Sequence, residues 1–271
     1  MAKKNDPIGI FDSGVGGLTV AHAMHSLLPN EQMIYYGDTV HLPYGDKSRE
    51  TIISYSVGIT DFLLQQGCKV ILIACNSASS NAWEKVREHV GGRAMVVNVI
   101  DPVVEQVCED RNLIRSVGVI GTKATIDSGT YARRIAECAS HIHVSSMATP
   151  LFVPMIEEGF VFDDISNAII RSYLSRKEME EIDTLILGCT HYPIIRNQIS
   201  RFFNFEVNVL DTAQIVAKKL QEMLQHQDLL ATARSGPDRF YVSDHTPSFG
   251  AIAGMFFNEP IRLEKQNIWA R

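Results

Sequence analysis

Twice in this chain a short apolar run ends in a cysteine that is followed at once by small polar residues. Val70–Ile73 leads into Ala74-Cys75-Asn76-Ser77, and Leu185-Ile186-Leu187 leads into Gly188-Cys189-Thr190-His191. Each run has the length and branched content of a buried strand. A helical pattern follows each, from near Asn81 in the first case and with Pro193 in the first turn in the second. A cysteine at such a junction lies by a helix N-terminus, where free N–H groups and the helix dipole favour a thiolate. The pair belongs to a larger repeat. Val117-Gly118-Val119-Ile120 echoes Ile8-Gly9-Ile10-Phe11, and residues 142–144 stand where residues 33–36 stood. Val207-Asn208-Val209-Leu210-Asp211 echoes Val97-Asn98-Val99-Ile100-Asp101, again about 110 residues on. The recurrence in one order marks two copies of one unit, and a solenoid would need more and shorter repeats.

Strands alternating with helices imply parallel sheets with helices on both faces. The expected fold is therefore α/β, with two pseudo-symmetric, doubly wound parallel-sheet lobes and a site between them. Residues 1–100 plus 212–271 would form the N-terminal lobe, carrying the Asp12 and Cys75 loops. Residues 101–211 would form the C-terminal lobe, carrying the Cys189 loop. Helices beginning near Pro102 and Thr212 would cross between lobes. In the tail, residues 240–242 read as a strand, Thr246-Pro247 as the opening of a helix and residues 261–263 as a last strand. Ligands of such sheets bind beyond the carboxyl ends of the strands, where the Asp12, Cys75 and Cys189 loops all fall.

Composition narrows the class. Across 271 residues, 45% are hydrophobic and 21% charged, as in an ordinary globular protein. A net charge of −6 without a Lys/Arg cluster argues against nucleic acid as a partner. Five cysteines (Cys68, Cys75, Cys108, Cys138 and Cys189), with no C-x-x-C among them, argue against a disulfide framework or a zinc ribbon. Reduced thiols fit a cytoplasmic protein. Lys3 and Lys4 are followed by Asp6-Pro7 and not by the apolar core of a signal peptide. No apolar stretch approaches the roughly 20 residues that cross a bilayer, so no membrane partner is expected.

Two thiols flanking one cleft suit a reaction that needs an acid and a base on opposite faces of one carbon, which is racemisation or epimerisation. One thiolate would remove the proton α to a carboxylate while the opposite thiol donates one, and thiols can be tuned near the working pH. The bland alternative, a buried small hydrophobe, suits Cys68, Cys108 and Cys138 better than the matched pair. Asp12, between a strand and glycines, could be a turn residue, an anchor for an ammonium group or a proton acceptor for Cys75. His191 could do the same for Cys189, and Glu157 or Glu158 could partner His191 or merely end a solvated helix. Ser13, Asn76, Ser77, Thr122, Thr125 and Thr190 supply hydroxyls and an amide that, with helix N-termini, could hold two carboxylates or simply cap helices. Other readings compete. Gly14-Val15-Gly16-Gly17 with Asp38 beyond it mimics a dinucleotide fingerprint, but Thr19 occupies the third glycine position. A two-lobed binding protein of the periplasmic type would show duplicated lobes, but it should carry an export signal and has no use for two thiols. Cysteine-nucleophile hydrolysis could use Cys189 with His191, leaving Cys75 unexplained.

Several of these stretches resemble the aspartate/glutamate racemase superfamily, and within it the glutamate racemases. The matching segments are residues 9–17 (GIFDSGVGG), Pro43-Tyr44-Gly45, Ala74-Cys75-Asn76-Ser77-Ala78, Leu151-Phe152-Val153-Pro154 with Glu157-Glu158-Gly159, and residues 188–193 (GCTHYP). They span most of the chain; the first two look like glutamate rather than aspartate racemase. The resemblance implies cofactor-independent interconversion of L- and D-glutamate, supplying D-glutamate for peptidoglycan, without pyridoxal phosphate, nucleotide or metal. It implies Cys75 and Cys189 as acid/base thiols assisted by Asp12, Glu157 and His191. It implies substrate contacts from Asp12, Ser13, Tyr44, Gly45, Asn76, Ser77, Thr122, Thr190 and His191, and it leaves a homodimer open. Two positions depart from the family pattern: Ser77 replaces a usual threonine and keeps the hydroxyl, and Thr149 replaces a frequent cysteine, which alters packing under the cleft.

Overall fold

The computed structural model describes residues 3–245 and 247–269. β1 (Ile8–Asp12), β2 (Met33–Gly37), β3 (Val70–Ile73) and β4 (Met95–Asn98) alternate with α1 (Leu18–Leu27), α2 (Arg49–Gln65) and α3 (Asn76–Val90). α4 (Asp101–Glu109) crosses to a second sheet of β5 (Ser116–Gly121), β6 (His143–Ala148), β7 (Thr184–Gly188) and β8 (Asn208–Val209). The connections of that sheet carry α5 (Lys123–Asp127), α6 (Thr130–Cys138), α7 (Phe152–Glu157), α8 (Asp164–Leu174) and α9 (Arg196–Phe202). α10 (Thr212–His226) returns the chain to the first sheet, where β9 (Arg239–Val242), α11 (Pro247–Phe257) and β10 (Leu263–Lys265) complete it.

Among the described residues, all strand pairings are parallel. The first sheet runs β10-β9-β2-β1-β3-β4 and the second β6-β5-β7-β8. The order β2-β1-β3-β4 is thus repeated as β6-β5-β7-β8, the duplication expressed as topology. Side chains alternate between faces as the two-residue strand period requires. Ile8, Ile10, Val70 and Leu72 join one core while Phe11, Ile71 and Ile73 join another. The first of these cores continues into the second sheet through Leu185 and Leu187 and under α10 through Val216, Leu220 and Leu224. The sheets therefore share a core along one side, and their carboxyl ends meet around one small cavity.

Several expectations need correction. α3 begins at Asn76, five residues earlier than the apolar pattern indicates, because Asn76, Ser77 and Ser79 point into buried polar contacts that a hydrophobic period cannot register. Cys189 is followed not by an α-helix but by a 3₁₀ turn over Tyr192–Ile195 that holds Pro193 in its first turn, and α9 comes after it. The last strand is Leu263–Lys265, two residues later than expected, because pairing to β9 aligns Leu263 with Phe240. Thr246 lies outside the described residues. Cys108 on α4 and Cys138 on α6 form a disulfide with Cα atoms 6.0 Å apart, leaving Cys68, Cys75 and Cys189 free. Composition argued against a disulfide framework and favoured reduced thiols, but packing of α4 beside α6, which the Arg134–Asp101 ion pair also ties together, brings these two into bonding range. Among the described residues, no helix is long and apolar enough to cross a membrane.

One buried ion pair secures the return of the chain. Lys69, just before β3, places Nζ 2.6 Å from Glu31 Oε2, with the side chains 0% and 2% exposed. Lys69 Nζ also donates to Leu229 O at 2.9 Å, and Glu31 Oε1 accepts from Ala231 N at 2.8 Å. Removing one partner of such a pair strands the other charge in the core. Lys69→Met should therefore lose about 3–5 kcal/mol in urea unfolding. Lys69→Met/Glu31→Gln, which keeps the acceptor for Ala231 N, should recover a large part; a single-variant loss below about 1 kcal/mol would contradict the role.

Candidate active site

The carboxyl ends of β1, β3, β5 and β7 converge on one small cavity of about 30 Å³, lined by Ser13, Gly14, Leu42, Pro43, Tyr44, Gly45, Cys75, Asn76, Ser77, Thr122, Val153, Glu157, Cys189, Thr190 and His191. Of the residues that the family resemblance implies for the site, all line it except Asp12. Asp12 is fully buried behind the lining, where its carboxylate accepts from Gly14 N at 3.0 Å and from Thr190 Oγ1 at 3.4 Å. Glu158 and Thr125 also stand outside the lining, though Thr125 Oγ1 lies 3.1 Å from Thr122 Oγ1.

Contacts across the cavity draw the sheets together. Ser77 Oγ and Thr122 Oγ1 are 2.8 Å apart, and Thr19 Oγ1 donates to Thr190 O at 3.1 Å. Two glycines are required by this approach. A Cβ on Gly16 would stand 2.4 Å from His191 Nδ1, and one on Gly45 would stand 2.7 Å from Thr122 Cβ. Sequence reading missed Tyr131, whose hydroxyl donates to Asn76 Oδ1 at 2.7 Å from α6; it sits on an apolar helix face and gives no signal. It also missed Leu42 and Val153, whose signal was only adjacency to Pro43 and Pro154. Beneath the cleft, Thr149 Oγ1 lies 2.7 Å from Tyr192 OH, so the departure at Thr149 does shape the packing there.

The two thiols face different surroundings. Cys75 occupies the N-cap of α3 and points its thiol toward Ser13 Oγ at 3.7 Å. Burial and the nearby Asp12 charge push it up to about 12, against the opposing pull of the Ala78 amide and the Ser13 hydroxyl. Cys189 Sγ lies 3.7 Å from His191 Nδ1, and His191 Nε2 lies 2.9 Å from Glu157 Oε1. Burial alone would lower His191, but the sulfur and the Glu157 carboxylate overrule it and lift the imidazole to about 10. At neutral pH the arrangement is a neutral Cys75 thiol on one side and, on the other, a protonated His191 imidazole beside the Cys189 sulfur. Among the described residues, no group of three or more His, Cys, Asp or Glu side chains could hold a metal ion.

A family model described as Asp/Glu/Hydantoin racemase matches residues 16–220. The chain belongs to this family. The glutamate racemase of Geobacter metallireducens is 40% identical over 250 residues, 92% of each chain. Among solved structures, glutamate racemase from Francisella tularensis in complex with D-glutamate superposes with a TM-score of 0.91 at 40% identity, covering 98% of this chain and 99% of that one. An aspartate racemase from Picrophilus torridus, 17% identical with a TM-score of 0.59 over 81% of this chain and 94% of its own, shares the fold. The two-lobed α/β architecture read from the duplication is therefore the architecture of the family.

The raised His191 value gives a testable sign. Because it lies above the ordinary 6.5, the stabilisation from the imidazolium is complete below about 6.5 and is lost as pH rises through about 10. NMR titration of His191 should show it still protonated at pH 8, and Glu157→Gln should move its midpoint down. A midpoint near 6.5 in the unaltered protein would contradict the pairing.

Proposed function

We propose that the protein is a cofactor-independent glutamate racemase working by two thiols, with residues 1–100 plus 212–271 as one lobe and 101–211 as the other. The observation that carries this reading is that Cys75 and Cys189, from different sheets, line one cavity. Support for glutamate as substrate comes from relatives of about 40% identity over nearly the whole chain that are glutamate racemases, one of them in complex with D-glutamate.

In this reading one sulfur, as thiolate, takes the α-proton of glutamate, breaking Cα–H and forming S–H. The opposite thiol gives its proton to the other face of the same carbon and becomes the thiolate. The reverse reaction exchanges the roles. His191, held by Glu157, hands its proton to the Cys189 sulfur and takes it back; Asp12, whose charge raises the proton affinity of Cys75, assists that sulfur as a base and orients the substrate ammonium through Thr190. Ser13, Tyr44, Gly45, Asn76, Ser77, Thr122, Thr190 and His191 hold the two carboxylates. Donors aimed at the α-carboxylate stabilise the carbanion as charge builds on it, the largest electrostatic aid available to a weak carbon acid. As it stands the cavity holds only one or two waters, so the surrounding elements must part to admit an amino acid. The reading includes work in the cytoplasm, where D-glutamate would feed peptidoglycan synthesis, and it allows a homodimer. Neither Cys108 nor Cys138 lines the cavity, so reducing their bridge should leave the chemistry intact.

Cys75→Ser and Cys189→Ser should each lower steady-state racemisation of glutamate by at least about 1,000-fold, since each removes one of two obligatory proton carriers that act as a unit. Polarimetry on D- and L-glutamate, with D- and L-aspartate in parallel, reads this directly. Near-normal turnover in either variant would sink the two-thiol scheme, and faster turnover of aspartate would move the specificity away from glutamate.

A further inference from the structure

Asp38 is a fully buried carboxylate at the end of β2, outside the cavity lining and without a role in the chemistry above. Three side chains converge on it. Tyr44 OH donates to Oδ2 at 2.7 Å, Trp269 Nε1 donates to Oδ1 at 2.8 Å, and His41 Nδ1 lies 2.9 Å from Oδ2. Tyr44 and its neighbours Leu42, Pro43 and Gly45 line the cavity, whereas Trp269 comes from the far end of the chain. Tight packing holds its indole there. A Cβ on Gly58 of α2 would stand 2.7 Å from ring carbon Cζ3, so this face of α2 is shaped to take the ring. His41 stacks on Tyr55 with centroids 3.9 Å apart, and Trp269 meets both rings edge-on at 5.0 and 5.5 Å. The tail is anchored just before it, with Gln266 N donating to Val242 O at 2.8 Å and Gln266 O accepting from Tyr36 OH at 3.0 Å.

A buried carboxylate holds its position only as firmly as its donors do, because each unfilled acceptor site inside the protein carries a desolvation penalty. The Tyr44 hydroxyl depends on the orientation of Asp38, and the Asp38 carboxylate depends on Trp269. We propose that Trp269 is a positioning residue: acting through Asp38, the C-terminal tail sets the Tyr44–Gly45 turn that closes one side of the substrate cavity. The proposal rests on the reading of that turn as a substrate contact.

Trp269→Phe separates the hydrogen bond from the packing, since phenylalanine keeps a ring against Gly58 and Tyr55 but has no N–H. In the full-length protein it should raise KM for glutamate roughly tenfold, the effect expected from one hydrogen bond to a charged group, while kcat stays within about twofold. Combined with Tyr44→Phe, which cuts the same link at its other end, it should add little further, because residues in one network are not additive. Amide hydrogen exchange should quicken over residues 41–47 and leave α2 unchanged. A merely structural role would instead lower the melting temperature and apparent kcat together, with additive effects and exchange spread over the lobe. Unchanged KM and unchanged exchange at residues 41–47 in Trp269→Phe would overturn the proposal. If the unaltered protein fails to racemise glutamate, the functional reading fails, and the exchange measurement still decides the positioning claim.

Discussion

Parallel strands can be joined only by crossovers over the sheet face, so all their carboxyl ends emerge on one side, with the loops that follow them. This constraint governs the molecule. Each copy of the duplicated unit obeys it separately, and the two copies share a core along α10 while their carboxyl ends face each other. Chemistry placed on the loops that follow β1, β3, β5 and β7 is thereby delivered to the same small volume. The short polar contacts Ser77–Thr122 and Thr190–Asp12 are the consequence, and the glycines at 16 and 45 are what permit so close an approach.

Within this near-symmetry the two thiols are not equivalent. Cys75 caps a long helix beside a buried carboxylate whose charge opposes ionisation, while Cys189 sits beside an imidazole backed by Glu157. A two-base reaction needs one proton donor and one acceptor at any instant, and two identical environments would leave both sulfurs in the same state. The departure from symmetry is local: a 3₁₀ turn stands in place of a helix after Cys189, with His191 just before it and 3.7 Å from the sulfur. Symmetry brings the groups together, and its local breakdown gives each sulfur a different neighbour.

Much of this was legible in the residues. The buried strands were readable because continuous apolar runs such as Val70–Ile73 can only be interior in a parallel sheet, and the repeated order of the runs carried the two-lobed architecture. The cysteines were legible because the duplication aligned them. What escaped depends on tertiary neighbours. The first turn of α3 holds Asn76 and Ser77, whose partners Tyr131 and Thr122 belong to the second sheet's connections. Tyr131 and Asn76 meet only once α6 packs on α3. Asp38 reads as the acidic residue of a dinucleotide fingerprint, and its true partners, Tyr44 and Trp269, lie at opposite ends of the sequence. The Cys108–Cys138 bridge escaped for the same reason, since spacing carries no record of which helices lie side by side.

The central claim, that two different groups serve the two faces of one carbon, is tested most directly by the source of the new α-proton. The purified protein, treated with chelator and given no cofactor, would be incubated with L-glutamate in D₂O and followed by proton NMR and optical rotation. The expected result is that D-glutamate forms carrying deuterium at Cα while the remaining L-glutamate keeps its proton early in the reaction, because the accepting thiol holds substrate proton and the donating thiol holds solvent deuteron. Deuterium entering L-glutamate as fast as rotation is lost, or D-glutamate retaining the original proton, would mean that a single base serves both faces and would contradict the account.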